Sequence, residues 1–476
     1  MCYPNSTNSA GRRNTAVGRF PLPVDLLFFF DSEDYETPAA DEGERWWAEA
    51  LSRHGLTGCF NLVGEEARAL RDRGQREILA ALARHEIGYH TNLHSAHPVH
   101  VEYLEGMGWD EGITAVLARE AGGVADVREL TGQTPATYCK PGSNWAPQVL
   151  VAMSRLGIPV FCDSPFEWAP GQPLTYCGSL CVGAHTSFDR YFGVAPHQRQ
   201  SRMRADFLAL IEQRRSTGGV VVMYTHPCRL ITAAFPDNFS AGQNPPRSAW
   251  RPAPLRSRSE ISELMADFDD FLHWVATETD ARTITYRELA AKHRRDNVWL
   301  DRSALADLIS DDLDILCPRQ ISGSWLSPAE QLGVLLWAAA WQVEHGELPE
   351  EVPVRPLLGP DRRAEPSDET DLPTSTLLDP IREISYQAGR DNRVPSLVRV
   401  GNRLLGPGAL FRAIKATLRQ PTGSVTLRTG PELPDLATRD DFAGMKFRQS
   451  WSILPPELEA PGIIELARLQ TWSARP

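Results

Sequence analysis

Two histidines four positions apart, His90 and His94 in "HEIGYHTNLHS" (85–95), follow a short apolar run that ends in glycine and tyrosine. Upstream, "DSEDYETP" (31–38) places three acids, Asp31, Glu33 and Asp34, within four positions directly after the run "LLFFF". Two neutral imidazoles and one carboxylate form a donor set that leaves positions open on a divalent ion, which then polarises a carbonyl and acidifies a water. If His90 closes a strand and the next residues take one helical turn, both rings project from the same side. Crowded carboxylates repel one another unless a cation relieves them, which is a reason to expect a metal. Each pattern alone is common on solvated surfaces, where histidine pairs decorate helices and acids sit at helix N-termini. The case therefore rests on what the surrounding elements do with them.

From residue 22 to about 290, short β-rich runs alternate with longer amphipathic helical patterns, as in parallel strands joined by crossover helices. Seven strands are predicted: "DLLFFF" (25–30), "GCFNLV" (58–63), "EIGYH" (86–90), "ATYCKPG" (136–142), "PVFCDS" (159–164), "VVVMYTH" (220–226) and "RTITYREL" (282–289). Between them run helical stretches such as "GEEARALRDRGQREILAALARHE" (64–86). Strands buried on both faces and separated by helices favour a (β/α) barrel, whose chemistry gathers at the carboxyl ends of the strands. Asp31, His90, Asp163 and His226 all fall at such ends. Four strand ends bearing ligand or acid–base side chains are hard to ascribe to chance.

After about residue 296 the alternation stops. "WLSPAEQLGVLLWAAAWQVEHGELP" reads as one helix with Ser327 as N-cap, Pro328 in the first turn, Glu330 completing a capping box and Gly346 as the stop. The acid- and proline-rich stretch 359–380 reads as an exposed loop, and "VPSLVRVGNRLLGPGALFRAIKATLRQ" (394–420) as strand–turn–helix or helix–turn–helix. The expected organisation is a disordered tail over 1–20, a barrel over 21–295, and a smaller, mostly helical accessory domain over 296–476, with no short internal repeat.

Composition narrows the partners. The 476 residues carry 49 Lys+Arg against 61 Asp+Glu, a net charge of −12, with 42% hydrophobic and 23% charged residues. That is a globular composition, and its acidic balance argues against nucleic acid as a partner. The eight cysteines include no CxxC pair, so most are expected to be reduced and buried, Cys139 among them. The first twenty residues contain no apolar stretch long enough for a signal peptide, and "LLFFF" is too short to span a membrane. These features predict a cytoplasmic protein with no membrane partner, and they leave its oligomeric state open.

Taken in order, "FFDSEDYETP", "GLTGCFNLVGEEA", "HEIGYHTNLHS", "CKPGSNWAPQVLVAMSRLGIPVFCDSPFEW" and "VVMYTHP" resemble the motifs of NodB-type polysaccharide deacetylases, the fourth carbohydrate esterase family. The resemblance covers roughly residues 22–292. It implies an α/β fold with a distorted (β/α)7 barrel, and hydrolysis of N-acetyl groups on amino sugars with a divalent ion of the zinc type, Co2+, Ni2+ or Mn2+ being alternatives. Carried over by position, it makes His90 and His94 metal ligands, Asp31 the general base and Asp34 the acidic ligand, with Glu33 as the alternative ligand or a substrate-facing group. His226 becomes the acid that protonates the leaving amine, Asp163 the carboxylate that orients it, and Trp168 a wall of the acyl pocket. The motif arginine that steadies the base is missing from Tyr138-Cys139-Lys140-Pro141-Gly142. Lys140 is its nearest substitute, with Pro141 and Gly142 beside the substrate. The partner implied is a glycan or a small amide; the rival readings are an allantoinase-like hydrolase of a cyclic amide and a catalytically silent glycan-binding barrel.

Overall fold

The computed structural model describes residues 24–166, 168–169, 171–236, 246–295, 297–311, 316–365, 368–427, 429–438, 453–455 and 457–476. The tail expected over 1–20 lies outside them. Ten strands form one curled sheet: β1 (Asp25–Ser32), β2 (Cys59–Leu62), β3 (Glu86–Tyr89), β4 (Thr137–Tyr138), β5 (Val160–Phe161), β6 (Leu174–Tyr176), β7 (Ser179–Cys181), β8 (Thr186–Ser187), β9 (Val220–Thr225) and β10 (Arg282–Thr283). The order is β6-β7-β5-β4-β3-β2-β1-β9-β8, with β10 also on β1, and every pairing is parallel except β6–β7. Among the described residues no pairing joins β6 to β8, so the barrel stays open on that side: an α/β barrel of the distorted kind the sequence predicts.

Side chains alternate across the sheet with period two. On β1, Leu26, Phe28 and Phe30 enter the large core beneath the surrounding helices, where Phe30 stacks on Phe60 at 4.6 Å. Leu27 and Phe29 face inward with Cys59, Cys139, Val220 and Val222. The interior is narrow: a Cβ on Gly88 would stand 1.9 Å from Asn61 Oδ1 and 2.1 Å from Thr137 Oγ1, so only glycine fits there.

Three details differ from the sequence reading. The last predicted strand is extended only over Arg282–Thr283, because Thr285 and Glu288 form a capping box that starts a helix at Tyr286. The long helix expected over 64–86 is two, Gly64–Asp72 and Arg76–Leu82, separated at Gly74 with its left-handed φ of 74°. The short strands β6, β7 and β8 carry too few residues to show a period.

Beyond the barrel, the expected helix is present as Pro328–His345 with its Ser327/Glu330 capping box and a left-handed Gly346. Helices dominate the rest too, joined by short antiparallel strand pairs. β11 (Val298–Asp301), a helix, the hairpin β12 (Arg319–Ile321)/β13 (Ser324–Leu326), the helix Pro328–His345 and β14 (Glu351–Val354) make one unit, closed by antiparallel β11–β14. The same order follows in β15 (Thr370–Pro373), two helices, the hairpin β16 (Val398–Val400)/β17 (Arg403–Leu405), the helix Pro407–Arg419 and β18 (Ser424–Leu427), closed by β15–β18. In both, a proline opens the helix after the hairpin. The internal duplication was invisible at the level of residue identity, because only apolar positions and the proline recur.

The chain then returns to the barrel. Ile453, Leu454, Ile463, Ala467 and Leu469 belong to the barrel's own core, and Thr175 on β6 exchanges backbone hydrogen bonds with Arg475 at 2.7 and 3.0 Å. Trp472 packs in the second core while its Nε1 donates to Glu432 O at 3.1 Å. The last residues of the chain thus pack on the barrel core. No helix among the described residues is long and apolar enough to cross a membrane.

Candidate metal and catalytic site

Parity along β1 decides which acids meet the histidines. Asp31 continues the inward set of Leu27 and Phe29, and Glu33 is the next inward position, whereas Ser32 and Asp34 point to the opposite side. Glu33 Oε2 accordingly lies 3.2 Å from His90 Nε2 and 2.8 Å from His94 Nε2, with all three side chains buried. Asp34 is turned away: its Oδ1 accepts from the backbone N–H of Glu36 at 3.2 Å and of Thr37 at 3.0 Å, forming the turn after β1. Of the two acids that the resemblance allows as ligand, Asp34 does not reach the imidazoles and Glu33 meets both.

The histidines converge by a route other than one helical turn. His90 ends β3, and residues 91–95 form a tight turn in which Thr91 (φ 67°) and His94 (φ 54°) adopt left-handed backbone. Such conformations cost about 1–3 kcal/mol each and persist only where the surroundings enforce them. Here the N–H groups of Gly64 and Glu65, at the start of a helix, donate to the carbonyls of Thr91 and Asn92 at 2.9 Å, and Glu120 accepts from Asn92 N at 2.8 Å. His90 Nδ1 is fixed on Cys139 O at 3.0 Å, which leaves Nε2 free to face Glu33.

Burial alone would raise the Glu33 carboxyl, but the facing His94, His226 and His90 rings hold it well below the usual range, as a carboxylate. Burial pushes His94 down toward the neutral, ligating form. His90 is also pressed down by burial, yet Asp31 and Glu33 outweigh this and raise it, so a proton sits where a cation would satisfy the same carboxylates. The residues fit a divalent ion. One donor atom from each of Glu33, His90 and His94 lies within 4.8 Å of the others, and Glu33 Oε1 is buried without a hydrogen bond.

Beside this triad stand the candidate base and acid. Asp31 Oδ1 accepts from Asn61 Nδ2 at 3.2 Å, and Asn61 Oδ1 accepts from Thr137 Oγ1 at 2.6 Å. The fully buried Asn61 thus holds Asp31 from within the barrel. Within the sequence it is one asparagine in an apolar strand, with nothing to mark its partner. His226 ends β9, and its Nε2 is 3.9 Å from both Asp31 Oδ2 and Glu33 Oε1. Its Nδ1 is 2.5 Å from Asp189 Oδ2, while Asp189 Oδ1 accepts from Thr225 Oγ1 at 2.5 Å. Burial would lower His226, but Asp189, Glu33 and Asp31 raise it to about 10, so the ring is a protonated acid at neutral pH.

Asp163, expected to orient His226, does not reach it. It pairs instead with Lys140 Nζ at 2.8 Å, and Lys140 also donates to Gly142 O at 2.5 Å. Among the described residues no ion pair links Lys140 to Asp31. The neighbour that does face the base is Cys139, whose sulfur shares a 4.8 Å cluster with Asp31 and His90 atoms, and burial first, then Asp31, raises its thiol far above the usual value. Pro141 is buried and Gly142 takes a left-handed φ of 48°, shaping the turn that carries Lys140. Trp168 is half-buried and meets Trp325 of β13 edge-on at 5.8 Å. His100 is buried with Nε2 3.0 Å from Glu120, and His97 pairs with Glu102 at 2.6 Å.

The opposite side of β1 gathers a second set of acids. Asp41, Glu44 and Glu66 are buried with Asp34, and a single arginine, Arg73, bonds Asp41 at 2.6 Å. Burial, then Asp41 and Asp34, pushes Glu44 up to about 8 from 4.5. Between those pH values the folded chain keeps a proton that the unfolded chain has lost, so stability falls as pH rises, by at most about 1.4 kcal/mol per pH unit. Glu44→Gln should therefore gain melting temperature over the parent at pH 8.5 relative to pH 5. Equal shifts at both pH values would contradict a protonated Glu44.

Compared with known proteins, the chain matches no family model and no curated protein. Among solved structures it is similar to a Mycobacterium smegmatis protein described as a polysaccharide deacetylase, at 17% identity over 58% of this chain and 92% of that one, with a TM-score of 0.38. It is also similar to a family 4 acetyl xylan esterase from Clostridium thermocellum in complex with cobalt (14%, 56% and 91%, TM-score 0.30). A third likeness is to a mutant of BA3943, a CE4 family pseudoenzyme (11%, 56% and 70%, TM-score 0.30). Similarity at this level assigns no chemistry to this chain.

Proposed function

We propose that this chain is a metal-dependent hydrolase of carbon–nitrogen amide bonds, and that it removes the N-acetyl group from an amino sugar or polysaccharide. The observation that carries this reading is the convergence of Glu33, His90 and His94 beside Asp31 and the His226–Asp189 pair. A divalent ion held by those three residues would polarise the amide carbonyl and lower the pKa of a water. Asp31, anchored by Asn61, accepts the proton of the attacking water. His226, kept protonated and oriented by Asp189, delivers a proton to the departing nitrogen. Base and acid approach one point from two strands, 3.9 Å apart at their nearest atoms. The substrate's reacting carbon belongs beside that point.

The experiment is direct. Protein stripped by chelation should release no acetate from N-acetylated amino-sugar oligomers, and Zn2+, Co2+, Ni2+ or Mn2+ should restore the release. Cyclic amides tested in parallel separate an allantoinase-like activity. Indifference to the chelator would remove the metal from the scheme, and a metal-loaded protein idle on both panels would favour a silent glycan-binding barrel.

A further inference from the structure

A groove of about 520 Å3 runs between the two duplicated units, where the helix Pro328–His345 of the first packs on the helix Ile381–Asp391 of the second. Its lining lies wholly within residues 337–390, so it shares nothing with the barrel site. Trp337 and Trp341 stand four residues apart on one helix face and stack at 5.2 Å, and His345 continues the stack on Trp341 at 3.8 Å. Tyr386 lines the groove from the other helix and is 64% exposed.

The fold does not require these rings. Counted from the proline that opens each helix, the buried Leu332, Leu335 and Ala339 of the first unit correspond to Phe411, Ile414 and Leu418 of the second, all of them in the second core. Core positions thus stay apolar in both units. Trp337 and Trp341, which are only half-buried, correspond to Ala416 and Gln420. The second unit packs the same helix with a small and a polar side chain at those places, so packing within the chain does not account for the aromatic pair.

Beside the rings the surface is small. Ala340 and Gly389 line it, and a Cβ on Gly389 would have Arg355 Nη1 as its neighbour at 3.8 Å, which leaves the space above it open. Polar groups share the lining: Glu344 and Arg382, 3.8 Å from each other, with Ser385 and Arg355. A groove that takes an amphipathic helix is apolar along its length. Rigid aromatic rings beside carboxylate, hydroxyl and guanidinium groups suit instead a ligand with flat C–H faces and a periphery of hydroxyls and amides, which is the chemistry of an amino-sugar ring. We infer that this groove holds N-acetylated amino-sugar units of a glycan chain, stacked on Trp341 and Tyr386. The identity of the sugar rests on the hydrolytic reading above. A second hold on the same glycan raises its effective concentration at the barrel.

Calorimetry on the full chain, freed of metal by chelation so that no turnover intrudes, tests it with a hexamer of N-acetylglucosamine. Binding is expected, weakened at least tenfold by the double change Trp341→Ala/Tyr386→Ala with an unchanged circular dichroism spectrum, and unaffected by Glu33→Gln. In the unaltered protein the hexamer should shield Trp341 from oxidation by N-bromosuccinimide, read by mass spectrometry, while Trp299, exposed outside the groove, is oxidised as before. This second readout holds even if the double variant fails to fold. No heat, no shielding of Trp341, or a loss of binding in Glu33→Gln that the groove variant does not share, overturns the proposal. Acetate release judges the hydrolytic reading separately: a chain that binds the hexamer through Trp341 and releases no acetate keeps the groove and loses the hydrolase.

Discussion

Glu33→Gln should strip the protein of its divalent ion, with a loss of at least about a hundredfold in affinity and a parallel loss of turnover. Glutamine keeps the volume of the buried side chain but removes the charge that the His90 and His94 nitrogens share at 3.2 and 2.8 Å. It also turns an amide N–H2 or a weaker carbonyl donor toward them, where an ion requires an anionic oxygen. Asp34→Asn is the matched control. Its carboxylate accepts from the Glu36 and Thr37 N–H groups, which an asparagine carbonyl can also satisfy, so metal content should stay at one ion per chain. Elemental analysis of the two variants after dialysis decides the matter. Should Asp34→Asn lose the ion while Glu33→Gln keeps it, the ligand assignment reverses.

Asp189→Asn is expected to lower kcat by roughly 10²- to 10⁴-fold with little change in KM, since the asparagine no longer fixes the tautomer of His226 or stabilises its protonated form. The pH profile supplies a readout that simple misfolding would not. With Asp189 in place, His226 holds its proton up to about pH 10. Removing the partner that raises this value must lower it, so the alkaline limb of the rate profile moves to lower pH. Asp163→Asn should leave that limb where it is, because Asp163 is engaged with Lys140. A limb that moves for Asp163→Asn and not for Asp189→Asn would overturn the pairing seen here.

Much of this architecture was legible before any coordinates. The parallel strands, the capped helix at Pro328–His345 and the placing of Asp31, His90 and His226 at strand ends follow from periodicity and punctuation. The difference between Glu33 and Asp34 is legible too: in an extended strand, positions 27, 29, 31 and 33 share a face, and position 34 cannot join them. The family resemblance points to Asp34, while its altered spacing and strand parity both point to Glu33. Asp189 was harder. It follows the two-residue strand β8, too short to announce itself, and it meets His226 only because β8 lies beside β9. Asn61 has the same character, since a polar side chain in an apolar strand shows its purpose only when its cross-strand neighbours are known. The duplicated units escaped because sheets made of two-stranded pairs leave few residues per strand and no sustained alternation.

The return of Ile453–Arg475 to the barrel bears on how the molecule is born. Chains emerge from the ribosome amino end first, and domains ordinarily fold as they are completed. Here the barrel half has its β6 margin and part of its apolar interior uncovered until both duplicated units have been translated. Nascent protein must pass through that interval exposed.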